Sequence, residues 1–166
     1  MTRVLRSDQH GLSLIELIMF IVIVSVGVLG ILSVLNVTVK NSADPMIRKQ
    51  VQAVAEAMLE EVLTKDFGNP AGGFTPATPG NPTQAERPSF DSVDDYNMTG
   101  TWNWTGVRSL LDTTTNISGL ANYTVTVAVA GAALNGIAAT NAKSITVTVT
   151  GGNETVTLVG YRTNYD

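Results

Sequence analysis

The sequence predicts an α+β fold, in which a long N-terminal transmembrane helix has an outer half that packs on a small antiparallel β-sheet. Three observations lead to this prediction. Residues 17–39 form an uninterrupted stretch without a charged side chain. Residues 46–62 carry apolar side chains at every third or fourth position, which is the spacing of one helix face. Beyond residue 122 apolar side chains alternate with small polar ones, a pattern typical of strands with one buried face.

The composition excludes several classes of function. The chain has 166 residues, a net charge of −4, no cysteine and a single histidine, His10. Disulfides, thiolate metal sites and cysteine nucleophiles are therefore excluded, and a histidine-dependent centre would have to use His10 alone. Without a basic excess we expect no nucleic-acid partner. The sequence predicts no catalytic residue, no metal site and no cofactor, and hence not an enzyme.

The uncharged stretch of residues 17–39 predicts a membrane span. Leu, Ile, Val and Phe occupy 16 of its 23 positions, and at mid-membrane they would contribute about −5 to −10 kcal/mol to insertion. A small domain could not cover such a helix on all sides, which argues against a buried core helix. No small-residue cleavage site ends the stretch, which argues against a secretory signal peptide. Basic residues flank it on both sides, so charge does not determine its orientation.

Glu16 is an ionisable residue at the head of this apolar segment. A carboxylate in such a position is costly unless it reaches the interface or finds a partner. One interpretation is a side chain that reaches the lipid headgroups near a helix N-terminus, where the helix dipole stabilises it. The other is a carboxylate reserved for a cation on another subunit.

Residues 11–17, with the sequence GLSLIEL and the apolar stretch behind them, resemble the prepilin cleavage and methylation motif of type IV pilins and pseudopilins. The resemblance implies that a prepilin peptidase/methyltransferase removes the leader, residues 1–11, by cleaving between Gly11 and Leu12. It also implies N-methylation of Leu12, where the family usually has phenylalanine, and a role for Glu16 in subunit assembly. The expected topology is a single inner-membrane span, residues 12–39, with the C-terminal domain in the periplasm.

Three later segments resemble D-type minor pilin proteins of the mannose-sensitive haemagglutinin (MSHA) pilus: residues 43–49, 90–97 and 160–163. This resemblance implies a structural subunit that is stored in membrane lipid and then joins other pilin subunits through the pilus assembly machinery. One alternative is a minor pseudopilin of a type II secretion or DNA-uptake apparatus. Another is a membrane-anchored binding module that never polymerises.

Residues 40–66 are predicted as an amphipathic helix that continues into the globular domain. Its apolar stripe is formed by Ile47, Val51, Val54, Met58 and Val62, with Ala55 and Leu59 beside them. Glu56, Glu60 and Glu61 are assigned to the polar face. Pro45 follows Asp44 and would either begin a new helix or kink one long helix; the pilin resemblance favours one long helix.

Residues 67–101 are rich in glycine and proline and predict a long loop. Near its end lie Asp91, Asp94 and Asp95, which would either cap backbone amides or bind calcium. The segment lacks the glycine and the distal glutamate of an EF-hand loop. Trp102 and Trp104 would lie on the same side of an extended segment, where they would cover an edge of the core or form a sugar platform.

Residues 102–166 are predicted to form the antiparallel sheet of the globular domain. Valine and threonine alternate in three runs, which we expect to bury the valines and expose the threonines. Gly151, Gly152 and Asn153 predict a tight hairpin between the last two strands. The predicted inward residues are Tyr123, Val125, Val127 and Val129 in the first run, Ile145, Val147 and Val149 in the second, and Val156, Leu158 and Gly160 in the third.

Overall fold

The computed structural model describes residues 14–164, and within helix α1 it leaves the side chains of residue 34 and residues 36–44 undescribed. Helix α1 runs from Leu14 to Leu63 and contains Pro45. The helix therefore does not begin again at Asp44 and Pro45, in agreement with the interpretation as one long element. The chain divides between Ala43 and Asp44 into two compact units.

The N-terminal unit contains the apolar segment of α1. Leu14–Ser33 has a mean hydropathy of 2.8 and none of it is buried. By length and composition this segment can cross a membrane. It begins and ends earlier than the uncharged stretch from which the span was predicted, and it includes Glu16.

The second unit contains a four-stranded antiparallel sheet with the strand order β1-β2-β3-β4. The strands are β1, Trp104–Thr105, β2, Thr124–Gly131, β3, Ala142–Gly151, and β4, Glu154–Thr163. The register places Val127 opposite Val147 and Val147 opposite Leu158. The alternating pattern has the predicted effect, because valines cover one face while threonine hydroxyls pair across strands on the other. The predicted α+β class is confirmed.

Glycine is required at two positions of the β3–β4 hairpin, one in its turn and one in β4. The turn between β3 and β4 consists of Gly152 and Asn153, and Gly152 has φ 58°, which is strained for other residues. At Gly160 an added Cβ would lie 3.0 Å from Leu59 Cδ1 and 3.3 Å from Leu63 Cδ1. Glycine at this position therefore allows α1 to approach β4 closely.

The outer half of α1 packs on the sheet, as predicted, but with a different centre to its stripe. Val51, Ala55, Met58 and Val62 are buried against the valines of β2 and β3. Val54 is only partly buried and lies at the margin of this face. The predicted stripe included Val54 and set Ala55 beside it, whereas the rotation of the helix on the sheet buries Ala55 and leaves Val54 only partly buried.

The glycine- and proline-rich segment supplies another wall of the core. It contains two short 3-10 helices, Arg87–Ser89 and Val93–Tyr96. Phe90, Val93 and Tyr96 are buried, and the rings of Phe90 and Tyr96 meet edge to face with centroids 4.8 Å apart. The prediction of a plain loop missed this contribution.

Candidate functional site

The predicted processing site is described only in part. Gly11, Leu12 and the leader, residues 1–11, lie outside the described residues. Glu16 lies in the first turn of α1 and is exposed. The structure therefore places Glu16 at the beginning of the apolar helix, as predicted, and leaves its role in subunit assembly a prediction.

The surface of α1 behind Glu16 is apolar on every side. Its large side chains are exposed around the whole circumference, from 44% at Val24 to 66% at Ile23. An apolar surface of this extent in water would be strongly unfavourable, so it indicates contact with lipid or with other apolar helices.

A groove on this surface lies at Gly27 and Gly30, which have no side chains. Val26, Ile31 and Leu35 also line it. An added Cβ at either glycine would meet no heavy atom within 4 Å among the described residues. A glycine inside a helix costs about 0.5–1 kcal/mol relative to alanine. The packing of the described chain gives no reason for that cost, whereas the close approach of a second helix would.

The three aspartates near residue 91 point at different partners. Asp91 Oδ2 accepts a hydrogen bond from Phe74 N at 2.7 Å, and Asp95 Oδ2 accepts from Ser92 N at 3.0 Å. Asp94 forms an ion pair with Lys143. Asp91 and Asp95 thus act in the way expected of an acidic turn that caps backbone amides. Within residues 14–164 no group of three His, Cys, Asp or Glu side chains is arranged to hold a metal ion.

The two tryptophans have different environments. Trp104 is 4% exposed and donates a hydrogen bond from Nε1 to Pro82 O at 2.7 Å. Trp102 is 41% exposed and donates to the same carbonyl oxygen at 3.1 Å. Trp104 therefore covers the edge of the core, and a flat platform made of both rings is not formed.

A buried polar network, which the sequence analysis did not identify, connects α1 to the segment that follows it. Arg87 Nε donates to Glu61 Oε1 at 2.8 Å, and Arg87 Nη1 donates to Arg108 O at 2.8 Å. Tyr96 Oη donates to the same Glu61 oxygen at 2.7 Å. The Arg87 and Glu61 side chains are only 7% and 12% exposed. Glu61, which was assigned to the polar face, is thus an internal anchor.

The surroundings of Tyr96 in this network keep its phenol protonated. Burial raises the pKa of Tyr96 far above its usual value, and the hydrogen bond to Glu61 raises it further. The phenol therefore remains protonated and continues to donate to Glu61 over the whole physiological range. No local pattern could have revealed the network, because its members lie far apart in sequence.

Comparison with known protein families gives one match. The family model of the prokaryotic N-terminal methylation motif matches residues 6–32. These residues include Gly11, Leu12, Glu16 and most of the apolar segment. Comparisons with curated proteins and with solved structures found no match. The matched motif supports a type IV pilin-like or pseudopilin subunit that is anchored in a membrane, and it is a motif of structural rather than catalytic proteins.

Proposed function

We propose that this type IV pilin-like chain is a minor structural subunit of a type IV pilus-like filament, related to the D-type minor pilins of the MSHA pilus. A prepilin peptidase/methyltransferase cleaves it between Gly11 and Leu12 and methylates the new amine of Leu12. The chain then waits in the inner membrane with its globular domain in the periplasm. The pilus assembly machinery moves it from lipid into the filament beside other pilin subunits.

The apolar surface of α1 is the observation that carries this proposal. Leu14–Ser33 is wholly unburied and lies almost entirely within residues 6–32, which the family model matches. A simple lipid anchor needs only a run of apolar residues. The groove at Gly27 and Gly30 adds a feature that lipid does not require, because small residues in a membrane helix favour contact with another helix. A chain that exchanges lipid neighbours for helical neighbours needs both properties.

The location of the chain tests this proposal. We expect the chain in the inner membrane of cells that lack the assembly ATPase, and in sheared surface filaments of cells that have it. Immunoblots of both fractions make the measurement, with an integral membrane protein as the control for contamination. A chain that remains in the membrane in both strains would contradict the pilus role. That result would favour the minor pseudopilin or the anchored module that never polymerises.

The groove on α1 makes a separate prediction. Gly30→Leu should insert into the membrane as well as the wild type, because leucine favours insertion. It would fill the groove and keep a neighbouring helix away. We expect about tenfold less of this variant in sheared filaments. This corresponds to a loss of about 1.4 kcal/mol in the free energy of incorporation.

Gly30→Ala is the matched control for this substitution, because a methyl group leaves most of the groove open. It should be incorporated in amounts close to the wild type. Equal amounts of Gly30→Leu and wild type in filaments would show that no helix packs at this groove.

A further inference from the structure

A polar cavity of about 510 Å³ lies in the second unit, between residues 66–70 and the end of β4. Asp66, Asn69, Arg162 and Thr163 are among the residues that line it. None of these residues takes part in the processing motif or in the apolar surface of α1. The cavity is therefore a separate feature of the globular domain.

Arg162 is a cation without a counter-ion in the described part of the chain. Its Nε atom is buried and has no hydrogen-bond partner, and neither of the two ion pairs within residues 14–164 includes it. A desolvated donor without an acceptor costs about 1–3 kcal/mol, and more when it is charged. An anion in the cavity that Arg162 lines would balance the charge of the guanidinium.

The strand register places a second cation beside Arg162. Lys143 on β3 is directly opposite Arg162 on β4, and like charges in that position are destabilising. Lys143 Nζ donates to Asp94 Oδ2 at 2.7 Å and also to Phe67 O. Asp94 thus balances the charge of Lys143, while no carboxylate within residues 14–164 forms an ion pair with Arg162.

We propose that the cavity at Arg162 is a binding site for a carboxylate group. A planar carboxylate matches the donor fork of a guanidinium, which makes such pairs strong and specific. Thr163 and Asn69 also line this space. Asp66 lines it too, and its carboxylate lies outside ion-pair distance of Arg162. Its negative charge favours a singly charged carboxylate over a doubly charged phosphate.

Nitrogen NMR of arginine side chains tests this proposal on the full chain in detergent micelles, labelled with ¹⁵N-arginine. The Nε–H signal of Arg162 is assigned by its loss in Arg162→Lys. Acetate replaces chloride stepwise at pH 7 and constant ionic strength. We expect the chemical shift of the Arg162 Nε–H signal to change with acetate concentration until it reaches a plateau. Phosphate should give a weaker response. The Nε–H signal of Arg108, whose guanidinium already donates to Asn116 Oδ1 and Thr113 O, should not move.

Asp66→Asn provides a second test, because this variant should strengthen acetate binding rather than weaken it. Its side chain has the same shape but no charge, so it should lower the acetate concentration at half saturation severalfold. A non-saturating shift that chloride reproduces, equal shifts of Arg108 and Arg162, or an unchanged midpoint in Asp66→Asn would each overturn the proposal. These tests use the isolated chain, so they do not depend on filament assembly.

The same signal distinguishes a free carboxylate from one on a neighbouring subunit. In filaments without added acetate, an Arg162 signal already at its bound position would assign the carboxylate to a neighbour. A signal at the unbound position that moves when acetate is added would assign it to a free ligand.

Discussion

Glu16→Ala is expected to reduce incorporation of the chain into filaments to less than about a tenth of the wild-type amount. The proposed cleavage at Gly11 would place a free amine on Leu12, and the next basic side chain in the sequence is Lys40. At about 4 Å and an effective dielectric of about 20, a carboxylate and an amine attract each other by about 4 kcal/mol. The pilin resemblance favours an amine on a neighbouring subunit. A subunit that entered at the wrong height would then leave two charges buried apart, which costs several kcal/mol.

Two further variants separate this role from a general effect on the helix. Glu16→Gln keeps the shape and removes the charge, so it should fail in the same way as Glu16→Ala. Ser25→Ala removes another polar group from α1, but the Ser25 hydroxyl donates to Ile21 O of its own helix at 2.6 Å; this variant should assemble normally. All variants should insert into the membrane and be cleaved. Normal amounts of Glu16→Ala in sheared filaments would contradict a role in assembly. Glu16 would then be only a carboxylate that reaches the lipid headgroups.

Arg87→Met is expected to lower the free energy of unfolding of the globular domain by about 3–5 kcal/mol. The substitution removes one partner of a buried ion pair and leaves the Glu61 carboxylate without its two charged hydrogen bonds. It also removes the donor to Arg108 O. Thermal unfolding followed by near-ultraviolet circular dichroism, which senses the buried Tyr96 and Trp104, measures the loss.

A double variant and an exposed control complete this experiment. Adding Glu61→Gln to Arg87→Met removes the unpaired charge and should restore part of the stability. Glu56→Ala changes an exposed residue of the same helix, whose carboxylate accepts a hydrogen bond from Gln52 Nε2. This variant should stay within about 0.5 kcal/mol of wild type. If Arg87→Met melted at the same temperature as Glu56→Ala, the buried network would contribute nothing measurable.

The elements that the sequence predicts well are those that depend on local periodicity. The alternation of valine and threonine predicts which face of β2, β3 and β4 is buried, and Gly152 marks their tightest turn. The uncharged stretch predicts the apolar half of α1. In each case the pattern repeats within the element itself, so no knowledge of distant residues is needed.

The features that the sequence does not predict depend on contacts between distant segments. Glu61 has the spacing of a solvent-facing residue, and only the position of Arg87 against α1 makes it internal. Arg162 becomes a cation beside a second cation only through its register with Lys143. Val54 and Ala55 are adjacent, and the rotation of α1 on the sheet decides which one is buried. Each of these outcomes is set by tertiary packing rather than by local sequence.

The intact mass of the chain purified from cells that contain its prepilin peptidase tests the central claim most directly. We expect a mature chain that begins at Leu12 and carries one methyl group on its amine. Gly11→Val should retain residues 1–11, because the resemblance to type IV pilins implies cleavage after glycine. A wild-type chain that keeps residues 1–11, or that begins at any residue other than Leu12, would contradict the assignment as a processed pilin-like subunit.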